Sequence, residues 1–239
     1  MAPTTATTTH TDEAARGLLI PSRSYARPAR AAEGVVDGAL PPQRHALTLG
    51  RLVGRLEHWR LFPELRSEAR YIDIETTGLD PRDPITMVGV SDGHATCVLV
   101  RGRGLNARAL RELLTDARLL VTWNGASFDL PRLRASFPGL PWDLPHFDLA
   151  VAGRQVGLGG GLKAVERTLG LVRPRDLQGV TGLEAASLWR DHVAGDEAAL
   201  RRLIRYCRAD VESLVALAPR LHRRLADEAE LDPRLLASV

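Results

Sequence analysis

Two carboxylates, Asp73 and Glu75, stand two residues apart in the run Tyr71-Ile72-Asp73-Ile74-Glu75-Thr76-Thr77-Gly78-Leu79. The β-branched residues between them mark a strand. Alternate side chains of a strand share a face, so the two acids project together while Ile72 and Ile74 point the other way. Acids this close repel each other and stay ionised cheaply only where a cation lies between them or water screens them. The pair alone therefore has two readings, a solvated strand face or half of a cation site. Thr76, Thr77, Gly78 and Leu79 add small residues and a flexible glycine at the strand end, where a ligand backbone can come close.

Three further residues carry the same ambiguity. Asp129 lies in Trp123-Asn124-Gly125-Ala126-Ser127-Phe128-Asp129-Leu130, where a strand gives way to a helix starting near Ser127. An acid there complements the helix dipole, or else belongs to a site at the C-terminal end of a strand, where open α/β sheets build them. Asp210 lies on a helix whose residues Leu200, Leu203, Ile204, Cys207, Val211, Leu214, Val215 and Ala218 form one apolar stripe. At ~100° per residue it falls about 80° from the stripe's centre, beside Leu203 and Leu214. A carboxylate on the rim of a packed face needs a partner, either an arginine or a metal. Tyr206, one turn earlier on the same side, packs on the sheet or serves the same site as Asp210.

These residues need a frame to hold them. Short β-branched runs at 71–76, 85–90, 96–100 and 119–123 are bounded by Gly, Asp and Pro, and the first three are close enough for an antiparallel meander. Asn106 can cap a helix reaching to about Asp116. Apolar residues from Leu49 to Trp59 fall at helical spacing, predicting a helix that leads into the domain. Further helices are expected at about 161–170, 184–194 and 196–224, the last capped by Asp196. Strands first and helices later make an α/β domain. The expected organisation is a flexible, locally basic tail over 1–44, a helical lead-in over 45–69, the folded domain over 70–225 and a C-terminal tail over 226–239.

The chain has 239 residues, enough for one domain of ordinary size, with a formal net charge of +3. That balance is compatible with a nucleic-acid partner without demanding one. Cys97 and Cys207 offer neither a disulfide framework nor zinc-ligand spacing. No run is apolar and long enough to cross a membrane and no secretory leader opens the chain, so the expected compartment is cytoplasmic. Of 32 basic residues all but Lys163 are arginine. Lys163 follows Gly159-Gly160-Gly161 at a helix start, placed to reach a phosphate or equally to be an exposed surface residue.

Taken together, Asp73, Glu75, Asp129, Tyr206 and Asp210 resemble the DEDD family of 3′→5′ exonucleases in the ribonuclease H-like superfamily. Tyr206-Cys207-Arg208-Ala209-Asp210 is similar to the third motif of the tyrosine subclass. His146-Phe147-Asp148-Leu149 and the run from Leu162 to Leu171 look like the YprB-type branch. The resemblance covers 71–217. It implies a mixed five-stranded sheet with helices on both faces, the flexible tail preceding it. It further implies a two-metal phosphodiester hydrolase acting at single-stranded or frayed 3′ ends of DNA or RNA. Asp73, Glu75, Asp129 and Asp210 would then hold two divalent ions, Mg²⁺ or Mn²⁺, as hard oxygen donors suit. Tyr206 would orient the attacking water. Thr76, Thr77 and Leu79 would line the pocket of the terminal nucleotide, and Asn124, Phe128 and Lys163 would contact the substrate nearby. A core role for Phe128 stays open, and Asp148 is expected to be a helix cap rather than a ligand. Two other readings remain, a catalytically silent nucleic-acid-binding module on the same fold and a structural or interaction domain recruited through the basic tail.

Overall fold

The computed structural model describes residues 42–231; the expected tail over 1–41 and residues 232–239 lie outside them. Helix α1 (Pro42–Leu52) leads through a 3-10 turn (Arg55–Leu61) and the short α2 (Phe62–Leu65) into β1 (Ala69–Thr76). Then follow β2 (Ile85–Ser91), β3 (Thr96–Val100), α3 (Ala107–Leu113), β4 (Leu119–Thr122) and α4 (Asp129–Ser136). The chain continues through β5 (His146–Asp148), α5 (Leu149–Gln155), α6 (Leu162–Thr168), α7 (Gly182–Val193) and α8 (Glu197–Leu231).

The sheet is mixed and five-stranded, in the order β3-β2-β1-β4-β5. The first three strands form the expected antiparallel meander, and β4 and β5 run parallel to β1. This puts the strand carrying Asp73 and Glu75 in the middle. Asp73 pairs with Gly89 of β2, and there a side chain is excluded. A Cβ on Gly89 would lie 2.6 Å from Val211 and 3.0 Å from the Cys207 sulfur. The glycine lets α8 press on the sheet beside the acids. On the other face Ile72, Ile74, Val88 and Val90 join one core with Leu110, Leu114, Leu130 and Leu133, so helices cover both faces. A second cluster gathers Met87, Val98 and Val100 with Trp189, Leu200 and Leu203, fixing α7 and α8 over the meander.

The structure differs from the sequence expectations at several ends. The helix expected from 49 to 59 breaks at Gly54, which takes an extended conformation (φ −56°, ψ 146°). Leu52 and Leu56 are exposed, so the apolar spacing did not describe one buried face. The folded region also starts before the expected tail boundary: Gln43 donates to the carbonyls of Leu114 and Thr115 at 3.2 and 3.1 Å. Helix α4 begins at Asp129 rather than near Ser127, because Asn124 turns left-handed (φ 58°) and its carbonyl accepts from both Ser127 and Phe128. At the far end α8 runs past the expected 224 to Leu231, through Pro219, because Leu221 and Leu225 continue its buried stripe.

Candidate metal centre

Asp73 and Glu75 leave β1 toward α8, as the alternation requires. Their carboxylate oxygens and the Cys207 sulfur all lie within 4.8 Å of one another. Asp129 is brought in by a main-chain bond. The pairing of β1 with β4 ends at Tyr71, and the N–H of Ile74, beyond it, donates to Asp129 Oδ1 at 3.1 Å. Asp210, one turn after Tyr206 on α8, closes the cluster. Glu75, Asp129, Tyr206 and Asp210 are buried, while Asp73 is partly exposed.

The loop between β4 and α4 is held by side chains outside this cluster. Asp148 accepts from the N–H groups of Asn124 (2.8 Å), Ala126 (3.1 Å) and Ala150 (3.0 Å), so it is the helix cap that was expected and a loop anchor as well. Gly125 N–H donates to Thr122 Oγ1, and a Cβ there would lie 2.1 Å from that oxygen. Only glycine fits.

The charges are crowded. Burial, then the charge of Asp210, then that of Glu75, hold the Asp73 carboxyl well above its ordinary range. Burial and Asp210 do the same to Glu75. Burial pushes Asp129 up to about 7, although the Ile74 N–H pulls it back toward ionisation. Burial and the neighbouring acids also push the Tyr206 phenol upward, so it stays protonated and acts through its hydroxyl.

Asp210 is treated differently from the others. Arg173 Nη2 makes an ion pair with its Oδ1, and Lys163 Nζ lies 3.5 Å from Oδ2. Lys163 also donates to the Tyr206 hydroxyl at 2.6 Å. Glu75 Oε1, by contrast, is buried without a hydrogen-bond partner among the described residues. An oxygen left in that state is what a divalent ion would satisfy, and carboxylates are the hard donors Mg²⁺ or Mn²⁺ takes. The residues fit the ion. Cys207 does not change its identity, since burial raises its thiol and keeps it protonated.

The acids open onto a cleft of about 880 Å³. Asp73, Glu75, Thr76, Thr77, Leu79, Asn124, Phe128, Asp129, Tyr206 and Asp210 all line it. Lys163, partly exposed, reaches two of these lining residues, Tyr206 and Asp210, with its Nζ. Leu79 is 74 % exposed at the rim, its carbonyl held by Arg132 at 2.7 Å. The same guanidinium stacks on Phe128, 3.7 Å from the ring centre. Phe128 is partly buried, packing against the core while also lining the cleft.

Sequence reasoning missed the opposite wall, where α7 presents Thr181, Gly182, Leu183, Ala186 and Arg190, and α5 presents Ala150 and Arg154. One signal was available. Thr181-Gly182-Leu183-Glu184 is a capping box, with both reciprocal bonds formed, and it places the start of α7 at the cleft. Arg173 had no signal, being one arginine among many.

A five-stranded mixed sheet with this order, its central strand bearing the acids, defines a ribonuclease H-like fold. The chain matches the RNase_H_2 family model of the RNase_H superfamily over residues 70–222, and it belongs to that family. Among solved structures it is similar to the family B DNA polymerase of the hyperthermophilic archaeon Pyrobaculum calidifontis. That match has 22% identity and a TM-score of 0.53, covering 64% of this chain and 24% of the polymerase. Another match is Escherichia coli RNase D, an exoribonuclease involved in structured RNA processing, at 17% identity and a TM-score of 0.49, covering 75% and 45%. This chain thus spans less than half of either protein. No curated protein matches it. No helix among the described residues is long and apolar enough to cross a membrane.

Proposed function

We propose that this protein is a metal-dependent 3′→5′ exonuclease of the DEDD tyrosine subclass, YprB-type, acting on single-stranded or frayed DNA or RNA ends. One observation carries the reading: four carboxylates and a tyrosine, spread over more than half the chain, converge on a single cleft. Asp73, Glu75 and Asp210 would hold one divalent ion, and Asp73 with Asp129 would hold the other. Such ions, when bound, would supply an activated water and charge stabilisation of the leaving 3′ oxygen. Tyr206, protonated, orients that water through its hydroxyl. Lys163, bonded to the Tyr206 hydroxyl, is placed to reach a substrate phosphate. Thr76 and Thr77 line the terminal nucleotide, exposed Leu79 meets its base, and Asn124 and Phe128 take the neighbouring nucleotide, Phe128 offering a face on which any base stacks.

One observation favours the second reading, a catalytically silent nucleic-acid-binding module: both oxygens of Asp210 already face cations of the chain. Purified protein incubated with 5′-labelled single-stranded DNA and RNA, with Mg²⁺, Mn²⁺ or EDTA, separates the two. The exonuclease reading expects a metal-dependent ladder shortening from the 3′ end, absent in Asp73→Ala. Tight binding with no cleavage under any metal would establish the silent module instead.

A further inference from the structure

Arg173 is a buried charge that the proposed chemistry does not use. It stands in the loop between α6 and α7 with its side chain 8% exposed, between Glu166 at 2% and Asp210 at 7%. Its Nε donates to Glu166 Oε2 at 2.6 Å, while Nη2 faces both Glu166 Oε1 and Asp210 Oδ1. The two bonds to Glu166 are directed and bidentate. The contact with Asp210 is a single one, made through Nη2.

The asymmetry has a physical meaning. Desolvating an arginine and a glutamate is expensive, and an apolar pair of similar size would usually be at least as stable. The pair is therefore better explained by what it presents to its neighbour. Glu166 fixes the guanidinium, and the guanidinium offers Asp210 a positive charge where a metal ion would otherwise sit. Among the described residues no ion pair reaches Asp73, Glu75 or Asp129, although Lys163 and Arg173 act on Glu75 from farther away.

We propose that Arg173 is a tethered counter-cation that competes with a divalent ion for Asp210. The ion that Asp73, Glu75 and Asp210 would share is then held more weakly than those carboxylates alone would hold it, and it enters as the guanidinium gives up Oδ1. Glu166 keeps Arg173 folded in place throughout. The inference rests on the metal-site part of the proposed function and is independent of which nucleic acid is cut.

The test is Mn²⁺ binding to the full chain without substrate, read from the free-Mn²⁺ paramagnetic signal and from the rise in Tm with added Mn²⁺. Arg173→Gln is expected to tighten the site that Asp210 completes about tenfold or more, since a unit charge a few ångströms from a divalent ion easily reaches that factor. Glu166→Gln combined with Arg173→Gln removes both charges, keeps an amide pair that can hydrogen-bond, and should tighten binding less but in the same direction. Arg173→Lys retains the charge and should bind within about twofold of the unsubstituted chain. The proposal is overturned if the folded glutamine variants bind Mn²⁺ no tighter than the unsubstituted protein, or bind none. It is overturned equally if Arg173→Lys tightens binding as much as Arg173→Gln. Cleavage assays on the same preparations report on the exonuclease reading alone, so the two can fail separately.

Discussion

The two walls of the cleft hold their acids in opposite ways. On the sheet side, Asp73 and Glu75 project from a central strand and Asp129 is fixed by a main-chain N–H, with no ion pair reaching any of them among the described residues. On the helix side, Asp210 is surrounded by Lys163 and Arg173, with Glu166 behind. The sheet wall concentrates negative charge that burial makes costly, and its folding is supported elsewhere, by the leucine core behind β1. The helix wall is nearly neutral before any ion arrives. A cation should therefore be drawn to the sheet wall, while the helix wall decides how firmly it is kept.

The comparison can be broken most forcefully at Asp73. Asp73→Asn keeps the shape of the side chain and removes the charge. It should lower nuclease activity on the order of a thousandfold, the scale of losing a preorganised charge-stabilising group, with far-UV circular dichroism unchanged. Activity within tenfold of the unsubstituted protein would mean that the sheet wall is not the reactive one.

The helix wall should fail in stability rather than chemistry when its pairing is cut. Glu166→Ala leaves Arg173 buried with only Asp210 beside it, and is expected to destabilise the fold by about 3 kcal/mol, measured by urea unfolding. A change under ~0.5 kcal/mol, the range of an ordinary surface substitution, would show that the buried pair contributes no structure.

Acidity tells the walls apart more gently. Asp73, Glu75 and Asp129 have raised values in the folded chain, Asp129 to about 7, so above the ordinary carboxylate range the folded state binds more protons than the unfolded one. Stability then falls as pH rises through that window. Buried His146, lowered to about 4, has the opposite sign between that value and its ordinary 6.5. The clean window is therefore above about pH 6.5. In EDTA the Tm should drop by a few degrees between pH 6.5 and about 8.5, less so in Asp73→Asn, and Mn²⁺ should restore most of it. A metal-free Tm that rises over that interval would contradict the assignment.

The smallest effect is expected at the far rim. Thr181→Ala removes the N-cap of α7 and should lower stability by about 1 kcal/mol, with KM changing more than kcat if that wall only guides substrate. A fall in kcat alone would place α7 in the chemistry.

What was legible in the sequence follows from the range of each interaction. Period-two runs located β1 through β4 nearly to the residue, because side-chain alternation is local. The caps at Asn106, Asp148 and Asp196 were legible for the same reason, and each accepts the expected main-chain bonds. Asp129 and Asp210 could be singled out only as acids in unusual settings. Their meeting with Asp73 depends on β4 lying beside β1 and on Gly89 admitting α8, which no local pattern encodes. Arg173 was invisible. An arginine in a loop looks the same whether it faces water or a buried carboxylate, and in a chain where all but one basic residue is arginine its identity carried no information. The lone Lys163 did stand out, yet its contacts with Tyr206 and Asp210 could not be read from spacing.

The central claim is that the acids of the two walls share divalent ions, Asp210 of the helix wall completing the site of Asp73 and Glu75. Anomalous diffraction from crystals soaked in Mn²⁺ tests this most directly. The account predicts a peak in contact with Asp73, Glu75 and Asp210 and another roughly 4 Å away on the Asp129 side, with the guanidinium of Arg173 withdrawn from Asp210 where the first is occupied. Ordered carboxylates with no anomalous density at Asp73, at Mn²⁺ concentrations that support cleavage, would contradict it.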